Sequence, residues 1–166
     1  MSNMPSLAGQ FLVARATLKD KYFGQSVVLL LEHGPEGAFG LVLNQRAEAE
    51  ELPFPLFMGG PCSFKGLIML HGHEEWNEAT ERQVMPGVFL GDAACLEKAA
   101  EAEVKDDLRF RVFTGYSGWG PKQLEHELTE GSWVVRQGSS QYVFDTPVDE
   151  LWVRLAPPTL PEPSMN

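Results

Sequence analysis

The order of the predicted elements favours an α+β domain with a mostly antiparallel sheet. Several apolar runs follow one another in the first half of the chain with turn residues between them, and helical patterns enter only in the second half. The chain has 166 residues, of which 43% are hydrophobic and 22% charged, and this suits one globular domain with its own core. We expect this single domain to span residues 1–155 and a proline-rich, disordered tail to follow at 156–166.

Strands joined by short turns are predicted for residues 11–44. A first strand covers Phe11–Ala14, and the continuous apolar run at 26–32 is typical of a strand that is buried on both faces. Residues 34–37 have the glycines and the proline of a tight turn, and a second apolar run follows at 38–44. The two runs therefore predict a β-hairpin.

Loops alternate with short strands in the middle of the chain. Residues 45–55 are polar and acidic and include prolines, which predicts a loop with a short helical piece around Glu48. The apolar runs at 66–71 and 88–90 predict two further strands. The glutamates between them, over 73–81, predict an exposed acidic loop.

Three helices are predicted in the second half. The first begins after Asp92, a suitable N-cap, and the second has Pro121 at its first position, reaches Glu130 and ends at Gly131. The third follows residues 146–149, which resemble a capping box. The predicted core-facing residues are Ala93, Leu96, Ala100 and Val104 in the first helix, Leu124 and Leu128 in the second, and Val148, Leu151, Trp152 and Leu155 in the third.

The remaining segments of the second half predict strands. Apolar and basic residues alternate over 108–114, which indicates a half-buried strand. Its Arg109 and Arg111 form a modest basic cluster with Lys105, and because acidic residues surround it we expect a solvated, charge-balanced face. Residues 132–136 and 141–144 predict a last hairpin.

Composition excludes several classes of protein. Lys plus Arg is 13 and Asp plus Glu is 23, so the net charge is −10, and this argues against direct binding to a nucleic-acid backbone. The longest apolar run, 27–31, is far shorter than the ~20 residues of a membrane-spanning helix. We expect a cytoplasmic protein without membrane contact, in which Cys62 and Cys95 are free thiols; a disulfide between them is the alternative.

The segment from Gly115 to Gly120, Gly-Tyr-Ser-Gly-Trp-Gly, lies between a predicted strand and a predicted helix. A nucleophile elbow would need a glycine where Trp119 stands, so Ser117 does not fit that motif. The favoured interpretation is a glycine turn with Tyr116 and Trp119 packed into the core. The alternative is a backbone anion site before the helix.

Histidines supply the other candidate sites. His71 and His73 with Glu74 or Glu75 would make three metal ligands, but we favour a strand end with one packed and one exposed histidine, and we expect no metal and no cofactor. His33 and its neighbour Glu32 point to opposite faces of a strand, which favours a hydrogen-bonded structural role over acid–base chemistry.

An ordered set of short motifs extends from Leu7 to Leu155. The motifs are those at 10–14, Asp20 and Phe23, 26–33, 37–44, 59–61, 70–71, 115–119, 123–125, Trp133, 144–147 and Trp152. Each is weak alone, but the set in this order resembles the YqgE/AlgH family of small bacterial proteins. The chain departs from the family pattern at 45–46, Ser117 and Lys122, and His73 is not part of that pattern.

The resemblance implies a compact α+β fold in which a bent sheet forms a partial barrel flanked by helices. It also implies a bacterial cytosolic protein, and it supplies no enzyme activity. The AlgH name reflects a proposed role in the transcriptional regulation of alginate synthesis, which for so acidic a chain would be indirect.

The leading hypothesis is a non-enzymatic regulatory or adaptor protein that acts through a contact with a protein or a small ligand. The alternative is an enzyme that uses His71 or His33 as a general base near the segment from Gly115 to Gly120. We expect the contact surface to gather residues at the ends of the family motifs, because function concentrates in loops held by a rigid scaffold. These residues are Asn44, His71, Tyr116, Trp119 and Gln123.

Overall fold

Two β-sheets form the frame of the protein in a computed structural model that describes residues 5–15, 23–48, 51–63, 65–76, 83–102 and 108–157. The first sheet has the strand order β10-β3-β2-β1-β11 and the second the order β4-β5-β9-β6-β8-β7. The strands are β1 Phe11–Ala14, β2 Val27–Gly34, β3 Gly37–Val42, β4 Arg46–Ala47, β5 Leu56–Met58, β6 Ile68–His71, β7 Gln83–Met85, β8 Val88–Gly91, β9 Phe110–Thr114, β10 Ser117–Trp119 and β11 Trp133–Arg136.

The strands pair almost entirely in the antiparallel sense, and β5 with β9 is the one parallel pair among those described. The predicted α+β class is therefore confirmed. The strands belong to two sheets, and over the described residues neither sheet closes into a barrel.

The main core lies between the two sheets and includes the buried residues of α3 (Leu151–Leu155), whereas α1 (Ala93–Glu101) and α2 (Gln123–Thr129) pack on the outer faces of the sheets. In β1, Phe11 and Val13 belong to the central core, whereas Leu12 and Ala14 pack on the opposite face against the side that carries α2. The outer face of the second sheet packs against α1 in the same way. The helices are α1 Ala93–Glu101, α2 Gln123–Thr129 and α3 Leu151–Leu155, and none of them is long or apolar enough to cross a bilayer.

The predicted hairpin of β2 and β3 is confirmed. The two strands pair from Val28 with Val42 to Gly34 with Gly37, and a bulge lies between Leu30 and Glu32. The predicted last hairpin is wrong, because β11 pairs with β1 and residues Gln141–Asp145 form a single π-helical turn. A partner from the start of the chain is available to β11, and local turn residues do not reveal it.

The helix ends were predicted better than the helix faces. The Asp92 cap is confirmed, since its Oδ1 accepts from the backbone N–H of Cys95 at 3.0 Å. The buried face of α1, however, consists of Cys95 and Ala99, one turn apart, and not of the exposed Ala93 and Ala100. Leu96 is half-buried, and Val104 lies outside the described residues.

Helix α2 begins at Gln123 and not at Pro121, because Lys122 has a left-handed φ of 66° and a residue in that conformation cannot be part of a right-handed helix. Gly131, with φ 80°, ends it as predicted. Its inner residues are confirmed: Leu124 is buried and the half-buried Leu128 packs against the same cluster.

The predicted capping box is wrong, since Thr146 Oγ1 donates to the carbonyl O of Gln141 and a 3₁₀ turn precedes α3. The core face of the last helix is confirmed in Val148, Leu151 and Leu155, with Trp152 packed against it. Of the predicted tail, only residues 156–157 are described.

Several segments of the middle region differ from prediction. Glu48 directly follows strand β4 and is not helical, while residues 49–50 lie outside the described chain. Strand β7 pairs with β8 and was not predicted. In the acidic loop, Glu74–Trp76 form a 3₁₀ turn with both glutamates exposed, and residues 77–82 are outside the described chain.

The close contact between β2 and β3 gives a test of the packing within the first sheet. A Cβ at position 40 would lie 2.4 Å from the carbonyl O of Leu29, which is backbone and cannot rotate away. We expect Gly40→Ala to lower the free energy of unfolding by about 2 kcal/mol or more in urea titrations. In Gly34→Ala, the control, the new Cβ meets nothing within 4 Å, so a change under about 0.5 kcal/mol is expected. Equal losses in both variants would contradict this packing.

Candidate functional site

The segment from Gly115 to Gly120 turns at Gly115, where φ is 76°, and then forms β10 along the edge of the first sheet. Ser117 is fully buried and its Oγ donates to the carbonyl O of Gly59 at 3.0 Å. The hydroxyl therefore holds two chain segments together and is not presented to a substrate. The favoured interpretation as a glycine turn is confirmed, with Trp119 buried and Tyr116 packed against the core.

An apolar pocket of about 590 Å³ opens beside β10, and we call it the β10 pocket. Tyr116 is held in it by two backbone hydrogen bonds to Cys62, of 2.9 and 3.0 Å, and its ring meets that of Phe39 edge-on at 6.0 Å between centroids. The pocket is therefore lined largely by aromatic and aliphatic side chains, and the backbone that carries several of them is hydrogen-bonded to a neighbouring segment. Its described lining residues are Ala38, Phe39, Cys62, Ile68, Tyr116, Gly118 and Trp119.

A second, more polar pocket of about 290 Å³ shares Gly118 and Trp119 with the β10 pocket, and we call it the Glu127 pocket. Oε1 of Glu127 accepts from the indole N–H groups of Trp119 at 2.9 Å and Trp133 at 2.8 Å. Its Oε2 accepts from Nε2 of Gln123 at 3.1 Å, and the ring of Phe23 packs against both indoles. One carboxylate thus satisfies two buried indoles.

Glu127 was not among the site residues predicted from the sequence. The available signal was its spacing of four residues from Gln123, which places both side chains on one face of α2. The two tryptophans come from β10 and β11 at opposite edges of the first sheet, and helical spacing carries no information about them.

Asn44 joins the ends of the first hairpin. Its Oδ1 accepts from the backbone N–H of Val27 and its Nδ2 donates to the carbonyl O of Gln25, both at 3.0 Å. Gln25 has a φ of 61°, so the Asn44 amide stabilises a turn that is costly for a residue with a side chain.

His71 is fully buried against the rings of Trp76 and Phe89. Its Nδ1 accepts from the backbone N–H of His73 at 3.1 Å, and its Nε2 lies 3.7 Å from Sγ of Cys95. Because Nδ1 is an acceptor, the neutral ring carries its proton on Nε2. Burial raises the pKa of the Cys95 thiol, which favours its protonated form.

The prediction of one packed and one exposed histidine is wrong in its second part, because His71 is buried and His73 is half-buried. Its Nε2 accepts from the backbone N–H of Arg109 at 2.8 Å, and only 16% of the side chain is accessible. Both histidines are thereby used to hold the backbone of neighbouring segments. The described residues contain no cluster of three His, Cys, Asp or Glu side chains able to hold a metal ion.

His33 has the structural role that was predicted for it. Its Nδ1 accepts from the backbone N–H of Leu7 at 2.9 Å, so Nε2 carries the proton and faces Oε2 of Glu125 at 2.8 Å. This hydrogen bond lowers the pKa of Glu125. Glu32 points to the exposed side, as its alternation with His33 predicts.

The basic cluster is less solvated than predicted. Arg109 pairs with Asp145 at 2.9 Å and not with the acidic residues upstream of it that the structure describes. Arg111 is half-buried, and its guanidinium donates to the backbone carbonyls of Phe110 and Phe144. Lys105 lies outside the described residues.

Both cysteines are free thiols, as predicted.

The structure brings together three of the five residues predicted for the contact surface. Tyr116 and Trp119 line the β10 pocket, and Trp119 and Gln123 line the Glu127 pocket. Asn44 and His71 are not among the described lining residues of either pocket.

Comparisons with known proteins agree with this architecture. A family model described as AlgH-like matches residues 11–158. A UPF0301 protein of Chlamydia muridarum is 34% identical over 156 residues, covering 87% of this chain and 82% of that protein. A UPF0301 protein of Myxococcus xanthus is 32% identical over 164 residues, covering 90% of this chain and 88% of that protein.

Two solved structures share the fold. The solution structure of the AlgH protein from Pseudomonas aeruginosa superposes with a TM-score of 0.72 at 24% identity, covering 93% of this chain and 89% of that chain. A crystal structure of protein DIP2367 from Corynebacterium diphtheriae gives 0.73 at 21% identity, covering 93% and 87% respectively.

The two indole hydrogen bonds of Glu127 predict a specific loss of stability. Glu127→Ala leaves both indole N–H groups without their acceptor, and we expect the free energy of unfolding to fall by about 2–3 kcal/mol, measured by urea titration with tryptophan fluorescence. Glu130→Ala removes an exposed carboxylate from the same pocket and should change stability by less than about 0.5 kcal/mol. A loss in Glu130→Ala as large as in Glu127→Ala would refute the assignment.

The pair of His33 and Glu125 predicts a pH dependence. The pKa of Glu125 is lower in the folded chain than in the unfolded one, so its stabilisation is complete above the unfolded value of about 4.3 and is lost as the pH falls through the folded value. We therefore expect Glu125→Gln to be less stable than the unchanged protein at neutral pH, with the difference closing in acid. Urea titrations across the pH range measure it. Glu97→Gln, on an exposed part of α1, is the control, and a pH-independent difference for Glu125→Gln would count against the pair.

Proposed function

Given that this chain belongs to the AlgH-like family, we propose that it is a cytoplasmic, non-enzymatic regulatory or adaptor protein. It acts through a contact with a protein or a small ligand at the β10 pocket. The observation that carries this proposal is that Tyr116 and Trp119, singled out by their motif, line one open apolar pocket.

The β10 pocket has the properties of a binding site. Phe39, Ile68 and Tyr116 each keep part of their surface accessible while packing against the core, so they offer apolar area that a partner would bury. Pairing of β10 with β3, and of Tyr116 with Cys62, holds this lining in place. A pre-ordered site loses little conformational entropy on binding.

The geometry does not favour the alternative of a histidine general base. His33 and His71 each use one ring nitrogen to accept from a backbone N–H and direct the other at a side chain of the protein. Neither lines the β10 pocket as described. A role in transcription would be indirect, through the partner held in the pocket, because the net charge of −10 opposes contact with DNA.

Gly118 allows the pocket to be filled without strain. A Cβ there would lie 3.5 Å from Cε2 of Tyr116 and 3.9 Å from Sγ of Cys62, which is ordinary contact distance. We expect Gly118→Leu to fold and to lose the partner. The measurement is quantitative mass spectrometry, including native mass spectrometry, of proteins and small molecules that co-purify with the full chain from its own cell.

Gly34→Leu is the matched control, since it adds the same side chain at a glycine of the same sheet with nothing within 4 Å of its Cβ. It should retain whatever the unchanged protein retains. Identical co-purifying species in all three proteins would refute the proposed site. Trp119 is unsuitable for this test, because it is buried and bonded to Glu127, so its truncation would mix binding with stability.

A further inference from the structure

A third pocket, of about 340 Å³, lies at the other sheet, where the edge strand β4 and its neighbour β5 meet β9 and the segment that leads into α3. We call it the arginine pocket. It shares no described lining residue with the β10 pocket or the Glu127 pocket. Its described lining residues are Arg46, Pro55, Phe57, Leu108, Phe110, Arg111, Pro147 and Val148.

The charge of this pocket is opposite to that of the protein. The chain carries a net charge of −10, yet the only charged residues among the described lining are Arg46 and Arg111. Both guanidinium carbons lie near the ring of Phe57, at 5.8 and 5.7 Å from its centroid. Two cations are thus held around one aromatic ring without a carboxylate in the described lining.

Arg111 has hydrogen-bond donors that the fold leaves unused. Its two terminal nitrogens donate to the carbonyls of Phe110 at 3.1 Å and Phe144 at 3.0 Å, and these acceptors orient the guanidinium without neutralising it. Its Nε is buried and has no acceptor among the described residues. Burial, and after it the charge of Arg46, lowers the pKa of Arg111, and the charge of Asp145 offsets part of this effect.

The nearby carboxylates are engaged elsewhere. Asp145 uses both oxygens on Arg109, at 3.3 and 2.9 Å. Oδ2 of Asp149 lies 3.9 Å from a terminal nitrogen of Arg46, but the Asp149 side chain is 84% exposed, so this ion pair is weak and a bound carboxylate could replace it. Neither carboxylate is among the described lining residues of the arginine pocket.

We propose that the arginine pocket binds a small organic carboxylate with a flat apolar body. A guanidinium presents parallel donors that match the two oxygens of a carboxylate. The walls formed by Pro55, Phe57 and Phe110 suit an aromatic or other planar group, and the volume fits a metabolite-sized ligand. This site is separate from the contact proposed at the β10 pocket.

The test is a titration of the isotope-labelled full chain with benzoate, followed by amide NMR shifts, with neutral benzamide as the isosteric comparison. We expect saturable shifts at Phe57, Arg111 and Val148 with benzoate and none with benzamide. Arg46→Gln should weaken benzoate binding by about tenfold, since it removes a charged donor at the mouth of the pocket.

Arg154→Gln is the matched control, because Arg154 is exposed on α3 and pairs with Glu150. It should leave the dissociation constant unchanged. Arg111→Lys keeps the charge and loses the planar fork, so it should abolish the shifts while the spectrum stays that of a folded protein. Gly118→Leu should bind benzoate normally, which separates this proposal from the contact at the β10 pocket.

Equal shifts with benzoate and benzamide, equal weakening by Arg46→Gln and Arg154→Gln, or an absence of saturable shifts at the pocket would each overturn the proposal. Tighter binding of inorganic phosphate than of benzoate would overturn the assignment of a carboxylate with an apolar body.

Discussion

Burial of both faces of the first sheet is the constraint on which the rest of this structure depends. Strands β1 and β2 are apolar at successive positions, so neither face of the sheet can be left in water. The second sheet covers one face, and α2 with its neighbouring indoles covers the other. Strand β10 lies at one edge of this sheet, and the β10 pocket opens beside it.

Polar side chains complete the fold by accepting hydrogen bonds from N–H groups that packing alone would leave without an acceptor. Packing of α2 on the first sheet places Glu127 beside two indoles of that sheet, and its carboxylate accepts a hydrogen bond from each of them. His33, His71 and His73 each accept a backbone N–H, so each is held with a defined ring proton. The three histidines that suggested chemistry in the sequence are thus used to hold the fold together, and none of them is among the described lining residues of the three pockets.

The β10 pocket and the arginine pocket offer different chemistry. The β10 pocket is apolar, lies at the edge of the first sheet and has a free thiol, that of Cys62, in its wall. The arginine pocket lies at the edge of the second sheet and concentrates positive charge in an acidic protein. Because the two pockets share no described lining residue, a molecule bound in one would not occupy the surface of the other.

Features that depend on neighbouring residues could be predicted from the sequence. The hairpin of β2 and β3, the Asp92 cap and the glycine that ends α2 all arise from contacts within a few positions along the chain. The choice of Tyr116 and Trp119 was possible for the same reason, since a glycine-rich segment between a strand and a helix is visible without a partner. The apolar face of α1 was wrong because several alanines there fit more than one face equally well.

Tertiary structure decided whatever joins distant segments. It paired β11 with β1, placed Glu125 against His33 and brought Arg46 and Arg111 to one aromatic ring. Periodicity reports which side of an element is apolar, but it does not report which other element will cover that side. The sequence by itself therefore determined the fold class and the local turns of this protein. The pockets were decided by the packing of two sheets whose strands are far apart in the chain.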